Sequence, residues 1–207
     1  MTERGQTERG HEVRRATAAD RANLARTLAA AFADDPVMTF LLPPSIPRRQ
    51  DRLRRLFSLD GARSERRGGT WITADGAGAA VWFPPGRWQT GPAENVREAP
   101  SWLRTLGRRT LLGARVRAVM EAHHRRLPEH WYLLYLGTEP GRQGTGLGAA
   151  LLRPVLEECD RTRTPAYLEA TSERNRALYA RHGFADHQAL PLPGGGPSLF
   201  PMWREPG

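Results

Sequence analysis

An α/β fold is the class this 207-residue sequence predicts, and three observations carry the prediction. The run Trp131-Tyr132-Leu133-Leu134-Tyr135-Leu136 has strand composition, and a glycine-rich turn followed by helical periodicity comes directly after it. The same order recurs downstream, where a strand pattern at residues 167–171 gives way to a helical pattern starting near Glu173. The first third of the chain adds two segments of helical spacing and a pair of short strand-like runs. Elements that alternate in this way bury their apolar faces as helices laid on a sheet.

Taken in order, residues 1–10 repeat Thr-Glu-Arg-Gly, contain no bulky apolar side chain after Met1, and are expected to form a disordered tail ahead of a single domain, 11–207. A short strand at 13–17 leads into a helix at 19–33 with Leu24, Leu28, Ala31 and Phe32 on one face, stopped by Asp34-Asp35-Pro36. A helix at 48–59 carries Leu53, Leu56 and Phe57 as its apolar stripe. Strands at 70–73 and 79–83 flank the hairpin signal Asp75-Gly76, and Pro84-Pro85-Gly86 ends the second. Between residues 93 and 126, Trp102, Leu103, Leu106, Leu111, Leu112, Val116, Val119 and Met120 recur among arginines, which fits one or two helices interrupted near Gly107 or Gly113. Apolar positions Leu147, Ala150, Leu151, Val155 and Leu156 predict a helix after Gly146. Pro154 inside it removes a hydrogen bond at a cost of about 3 kcal/mol, so a kink or an early end is expected there.

Composition narrows the function. With 39% hydrophobic residues the chain can bury a real core, and no apolar stretch approaches the ~20 residues that a membrane span needs. The charged N-terminus lacks the apolar centre of a secretion signal, and a lone cysteine, Cys159, excludes an intrachain disulfide; both point to the cytoplasm. Cys159 itself reads as a small apolar side chain. The net charge of +9 comes entirely from arginine, for none of the 31 basic residues is lysine, and these arginines are spread over nearly every segment instead of forming a nucleic-acid-binding stripe. No nucleic-acid partner is expected. His123-His124 does not make a metal site either: adjacent helix positions point about 100° apart, and no third ligand stands at a suitable spacing.

The sharpest motif is Thr138-Glu-Pro-Gly-Arg-Gln-Gly-Thr-Gly-Leu-Gly-Ala149, placed at the junction of a strand and a helix. A helix start carries unpaired N–H groups and partial positive charge, and glycines let a pyrophosphate approach that backbone; Arg142 adds a cation. A dinucleotide-binding turn is a poor match. It needs Gly-x-Gly-x-x-Gly near the start of a βαβ unit, whereas here Gly144, Gly146 and Gly148 alternate after two-thirds of the chain. Gln143-Gly144-Thr145-Gly146-Leu147-Gly148 instead resembles the Gln/Arg-x-x-Gly-x-Gly/Ala signature of the Gcn5-related N-acetyltransferases. Pro165-Ala166-Tyr167-Leu168-Glu169-Ala170-Thr171-Ser172 and Asn175 through Tyr179 to Gly183-Phe184 are similar to that family's following strand and helix. Residues 26–36, Ala80-Val81-Trp82 and the end of the chain, Gly196-Pro197 with Met202 and Arg204, look like the puromycin N-acetyltransferase branch of actinobacteria, while 86–128 match poorly.

The resemblance implies a mixed central sheet of about six to seven strands, splayed between its central parallel strands and flanked by helices. It implies acetyl-CoA held by Leu136, Gly137 and Thr138, by the turn Arg142, Gln143, Gly144, Thr145, Gly146, Leu147, Gly148 and Ala149, and by Asn175. Glu169 is the candidate proton acceptor, directly or through water, and Tyr179 the candidate proton donor to the departing thiolate. From the residues alone, Glu169 reads first as a surface or structural carboxylate, and Tyr179 equally as a core tyrosine packed with Leu178 and Phe184. The implied acceptor is a small-molecule amine, with Asp34 or Asp35 attracting a cation into a pocket walled by Phe32 and Trp82; a helix terminus explains both aspartates as well. Residues 93–126 are either an inserted segment that shapes the acceptor pocket or a solvated amphipathic helix. A peptide amine as acceptor and a non-catalytic CoA-sensing module are the other readings, and the expected assembly is a monomer or a homodimer.

Overall fold

The computed structural model describes residues 12–207, so the expected tail at 1–10 lies outside the described residues. Eight strands form one sheet: β1 Val13–Arg15, β2 Thr70–Thr73, β3 Gly78–Phe83, β4 Trp131–Thr138, β5 Ala166–Ala170, β6 Ala185–Asp186, β7 Leu190–Pro191 and β8 Ser198–Arg204. The order is β1-β2-β3-β4-β5-β8-β6, with β7 also paired to β8. Seven helices surround it among the described residues: α1 Arg21–Ala31, α2 Pro36–Leu41, α3 Arg49–Arg66, α4 Pro92–Leu106, α5 Thr110–His124, α6 Leu147–Thr162 and α7 Glu173–Ala180. The expected mixed sheet is present. Its count rises because β6 and β7 have two residues each, too few to show any period.

β3 reads Gly-Ala-Ala-Val-Trp-Phe, is buried along its whole length, and divides its side chains between two cores. Ala79, Val81 and Phe83 face Leu28, Leu53 and Phe57 of α1 and α3, while Ala80 and Trp82 face Leu151, Leu152 and Val155 of α6. The strand period of two does this sorting. Burying each large apolar side chain in these layers contributes about 1.5–3 kcal/mol.

The two central parallel strands separate early. β4 and β5 pair only at Trp131↔Ala166, Tyr132↔Tyr167 and Leu133↔Leu168. On its other edge β4 meets β3 with Val81 opposite Tyr135 and Trp82 opposite Leu133, which leaves Leu134 as an extra residue. A bulge of this kind bends its strand and steepens the twist. The alternation of side chains along β4 is therefore broken at Leu134, and the cleft between β4 and β5 opens beyond Leu133.

Two local expectations change and one is narrowed. Asp34-Asp35-Pro36 ends one helix, as expected, but also begins another: Asp35 Oδ1 accepts the N–H groups of Val37 and Met38 at 2.9 Å each, and Pro36 occupies the first turn of α2. The arginine-rich stretch is two helices, broken where Gly107 takes φ 58°. Pro154 does not end α6, which continues to Thr162 because Leu151, Leu152, Val155, Leu156 and Cys159 hold its inner face in the core on both sides of the proline. α6 stops where Arg163 adopts the left-handed region and Thr164 N–H returns to Cys159 O at 2.9 Å.

Candidate functional site

A cavity of about 590 Å³ begins in the cleft between β4 and β5 and runs under α4 and α5. Leu136, Glu169, Asn175 and Tyr179 all line it, so four of the residues singled out in the sequence meet in one space. Tyr167 and Glu169 point to the same side of β5, two residues apart, while Leu168 and Ala170 join the core on the α6 side. Of the two readings for residues 93–126, pocket walls prevail: Trp102 and Leu106 of α4 and Val116 and Met120 of α5 line the chamber, whose walls are mainly apolar.

Glu169 sits at the inner end with its side chain only 3% exposed. Its Oε1 accepts the Tyr167 hydroxyl at 3.0 Å and lies 3.0 Å from His124 Nε2. His124, from the last turn of α5, is 2% exposed at its side chain and also lines the cavity. Burial and the Glu169 charge raise the phenols of Tyr132 and Tyr167, so both stay protonated beside the carboxylate. His130, just before β4, is pushed down to about 4, first by burial, and so stays neutral.

Tyr179, on α7, is 7% exposed and packs edge-on against Phe184 at 5.9 Å. Burial, and then the nearby charge of Asp35, raises its phenol and keeps it a proton donor. Asn175 lies one turn earlier, its N–H directed to the capping Ser172 Oγ at 3.3 Å. Asp35 lines the cavity; Asp34 is exposed and does not.

The turn from Arg142 to Gly146 lies on the surface ahead of α6. Gly144 and Gly146 have φ 79° and 88°, values that L side chains rarely adopt, and a Cβ on Gly144 would meet nothing within 4 Å. Gln143 and Thr145 are exposed, Leu147 is buried, and Gly148 and Ala149 lie half-buried in the first turn of α6. A Cβ on Gly148 would stand 3.4 Å from Leu178 and 3.9 Å from Leu136, so the helix start abuts both β4 and α7. Gly137 serves packing as well: a Cβ there would come within 2.8 Å of Ala31 and 2.9 Å of Leu28, and only glycine lets α1 approach β4 so closely. Thr138 pairs with Gly78 at the strand end. Arg142 is not a free cation, because it pairs with Asp75 at 3.1 Å.

One wall residue is misplaced by the sequence reading. Trp82 is fully buried against α6, on the far side of the sheet, and does not line the cavity; Phe32 does. The period of two sends Val81 and Phe83 to the cavity side and Trp82 away from it. Sequence reasoning also missed a buried charge group at the chamber wall: Arg63 pairs with Asp60, and Tyr135 Oη donates to Asp60 Oδ2 at 2.9 Å. An i,i+3 Asp-Arg pair on the inner face of α3 was the available signal.

No helix among the described residues is long and apolar enough to cross a membrane. Residues 81–184 match the family model described as "Acetyltransferase (GNAT) family". An uncharacterized N-acetyltransferase of Schizosaccharomyces pombe is 28% identical over 188 residues, covering 86% of this chain and 76% of that protein. A Corynebacterium glutamicum crystal structure described as histone acetyltransferase HPA2 and related acetyltransferase is 28% identical, with a TM-score of 0.71 over 95% of this chain and 96% of that one. The Drosophila melanogaster polyamine N-acetyltransferase shares the fold at 17% identity, with a TM-score of 0.61 over 93% of this chain and 98% of that one.

Proposed function

This chain belongs to the acetyltransferase (GNAT) family, and from that premise we propose that it moves an acetyl group from acetyl-CoA to a primary amine of a small molecule. One observation carries the reading: Leu136 and Asn175, on the proposed CoA side, share a single cavity with Glu169 and Tyr179. Its volume of about 590 Å³ lies in the ~300–1,000 Å³ range of small-ligand sites.

The residues present fit acetyl-CoA. Gly144 and Gly146 present bare backbone at two positions of the turn, and the N–H groups in the first turn of α6 lack helical partners. β4 beyond Leu133 offers backbone that β5 does not occupy, where a pantetheine arm can pair. When bound, acetyl-CoA supplies a thioester carbonyl for attack and a thiolate as leaving group. Asn175 orients the arm, Glu169 receives the amine proton directly or through water, and the Tyr179 hydroxyl donates to the sulfur. The apolar chamber excludes water and holds the acceptor beside the reacting carbon. We place the reaction in the cytoplasm of a cell, by a monomer or a homodimer.

Acceptors of this shape include aminonucleosides, amino acid derivatives and amine-bearing antibiotics, as the resemblance to puromycin N-acetyltransferases suggests. A peptide amine is the second reading, favoured by the description of the Corynebacterium relative. Release of CoA thiol, followed across a panel of small amines and peptides, tests both. Turnover on small amines and not on peptides is expected; release with peptides alone would transfer the proposal to the second reading.

A further inference from the structure

The Glu169 carboxylate is less free to meet an amine than a direct base should be. Its Oε1 already accepts Tyr167 Oη and faces His124 Nε2, each at 3.0 Å. A carboxylate offers only acceptors, so the ring nitrogen facing it carries the proton, and Nδ1 is left as a bare lone pair. Nδ1 is buried and has no hydrogen-bond partner among the described residues. The ring cannot swing away. Tyr132 and Tyr167 meet it edge-on at 4.3 and 4.7 Å, and Trp88 lies at 4.6 Å.

We infer that His124 Nδ1 takes the proton of the acceptor amine, and that Glu169 acts through the imidazole as a positioning residue; this rests on the acetyltransferase reading. A carboxylate that orients a histidine and stabilises its charged form is a general way to make a base. The groups facing the ring support it. Tyr132 on β4 and Tyr167 on β5 stay protonated, and His130 stays neutral, so none of them sets a second charge beside the His124–Glu169 pair. On α5 itself, burial also lowers the neighbouring His123, while Glu121 is engaged by Arg117 at 2.7 Å. In the step, the amine nitrogen bonds to the thioester carbon, one N–H bond breaks, and its proton goes to His124 Nδ1. The C–S electron pair leaves on sulfur, Tyr179 protonates it, and His124 gives its proton to solvent, from which Tyr179 regains one.

His124→Gln places an amide N–H near the position of Nε2 but cannot accept a proton. Its kcat/KM for the amine should fall about 10²- to 10³-fold with acetyl-CoA affinity changed less than about twofold. Added imidazole should restore part of the turnover of His124→Ala. A second readout needs no substrate: ring-nitrogen NMR of the unaltered, ligand-free protein should show His124 protonated at Nε2 and bare at Nδ1 at neutral pH. Protonation at Nδ1 instead, or a folded His124→Gln protein with unchanged kcat/KM, overturns the inference while leaving acetyl transfer intact. Unaltered protein that releases no thiol with any amine overturns the acetyltransferase reading, and this inference with it.

Discussion

Thr171 Oγ1 donates to Asp35 Oδ2 across 2.6 Å, fastening the end of β5 to the start of α2. The other oxygen of the same carboxylate caps α2 through Val37 and Met38. One side chain thus joins the cavity wall, a helix start and the strand that carries Glu169, and its charge is felt at Tyr179.

Replacing Asp35 with Ala should cost about 1–2 kcal/mol through the lost cap and the stranded Thr171 hydroxyl. Burial raises the Asp35 pKa in the folded protein, outweighing its three hydrogen bonds. Its contribution to stability is therefore fully present below the ordinary carboxylate value and is lost as pH rises through the raised one. Urea midpoints measured between about pH 4 and pH 8 should decline less steeply for Asp35→Asn than for the unaltered protein. Parallel curves would contradict this account of Asp35.

Gly146→Asp tests the phosphate cradle. Aspartate is a good helix cap, so α6 should persist despite a strain of about 1 kcal/mol at φ 88°, while the new charge sits where a pyrophosphate must approach. Calorimetry should show acetyl-CoA affinity reduced by about 10²-fold or more, with the thermal midpoint shifted only slightly. Undiminished affinity in a folded variant would remove the turn from the binding site.

Tyr179→Phe keeps the edge-on contact with Phe184 and deletes only the hydroxyl. Turnover should drop about 10²-fold with CoA affinity intact. Because burial raises this phenol above its ordinary value, the unaltered enzyme should keep kcat up to about pH 10 without a limb from Tyr179 ionisation. Normal turnover in the variant would return Tyr179 to a packing role.

Trp102→Ala should enlarge the acceptor chamber without touching the cradle. KM for a bulky small amine should rise about tenfold, and KM for acetyl-CoA should stay put. Peptide acceptors, if they were the true substrates, would show no such selective loss. Expression of the unaltered gene in sensitive bacteria adds a cellular check: protection against at least one amine-bearing antibiotic is expected.

Much of the architecture was legible because it rests on local periods. The helical stripe Leu53-Leu56-Phe57, the Asp75-Gly76 hairpin and the strand 131–136 each needed only neighbouring residues to be read, and each is present. The helix started by Asp35 and Pro36 was hidden because the same residues that terminate α1 also cap α2. The uninterrupted α6 was hidden because its packing on both sides of Pro154 outweighs one lost hydrogen bond.

By itself the sequence determined the longer strands and helices and the glycine turn at the start of α6, all consequences of spacing along the chain. Tertiary structure alone decided that Trp82 turns away from the chamber, that β4 bulges at Leu134 and parts from β5, and that His124 meets a carboxylate 45 residues away. The physical reason is that periodicity assigns a residue to a face, whereas strand register and helix docking determine which other face it meets.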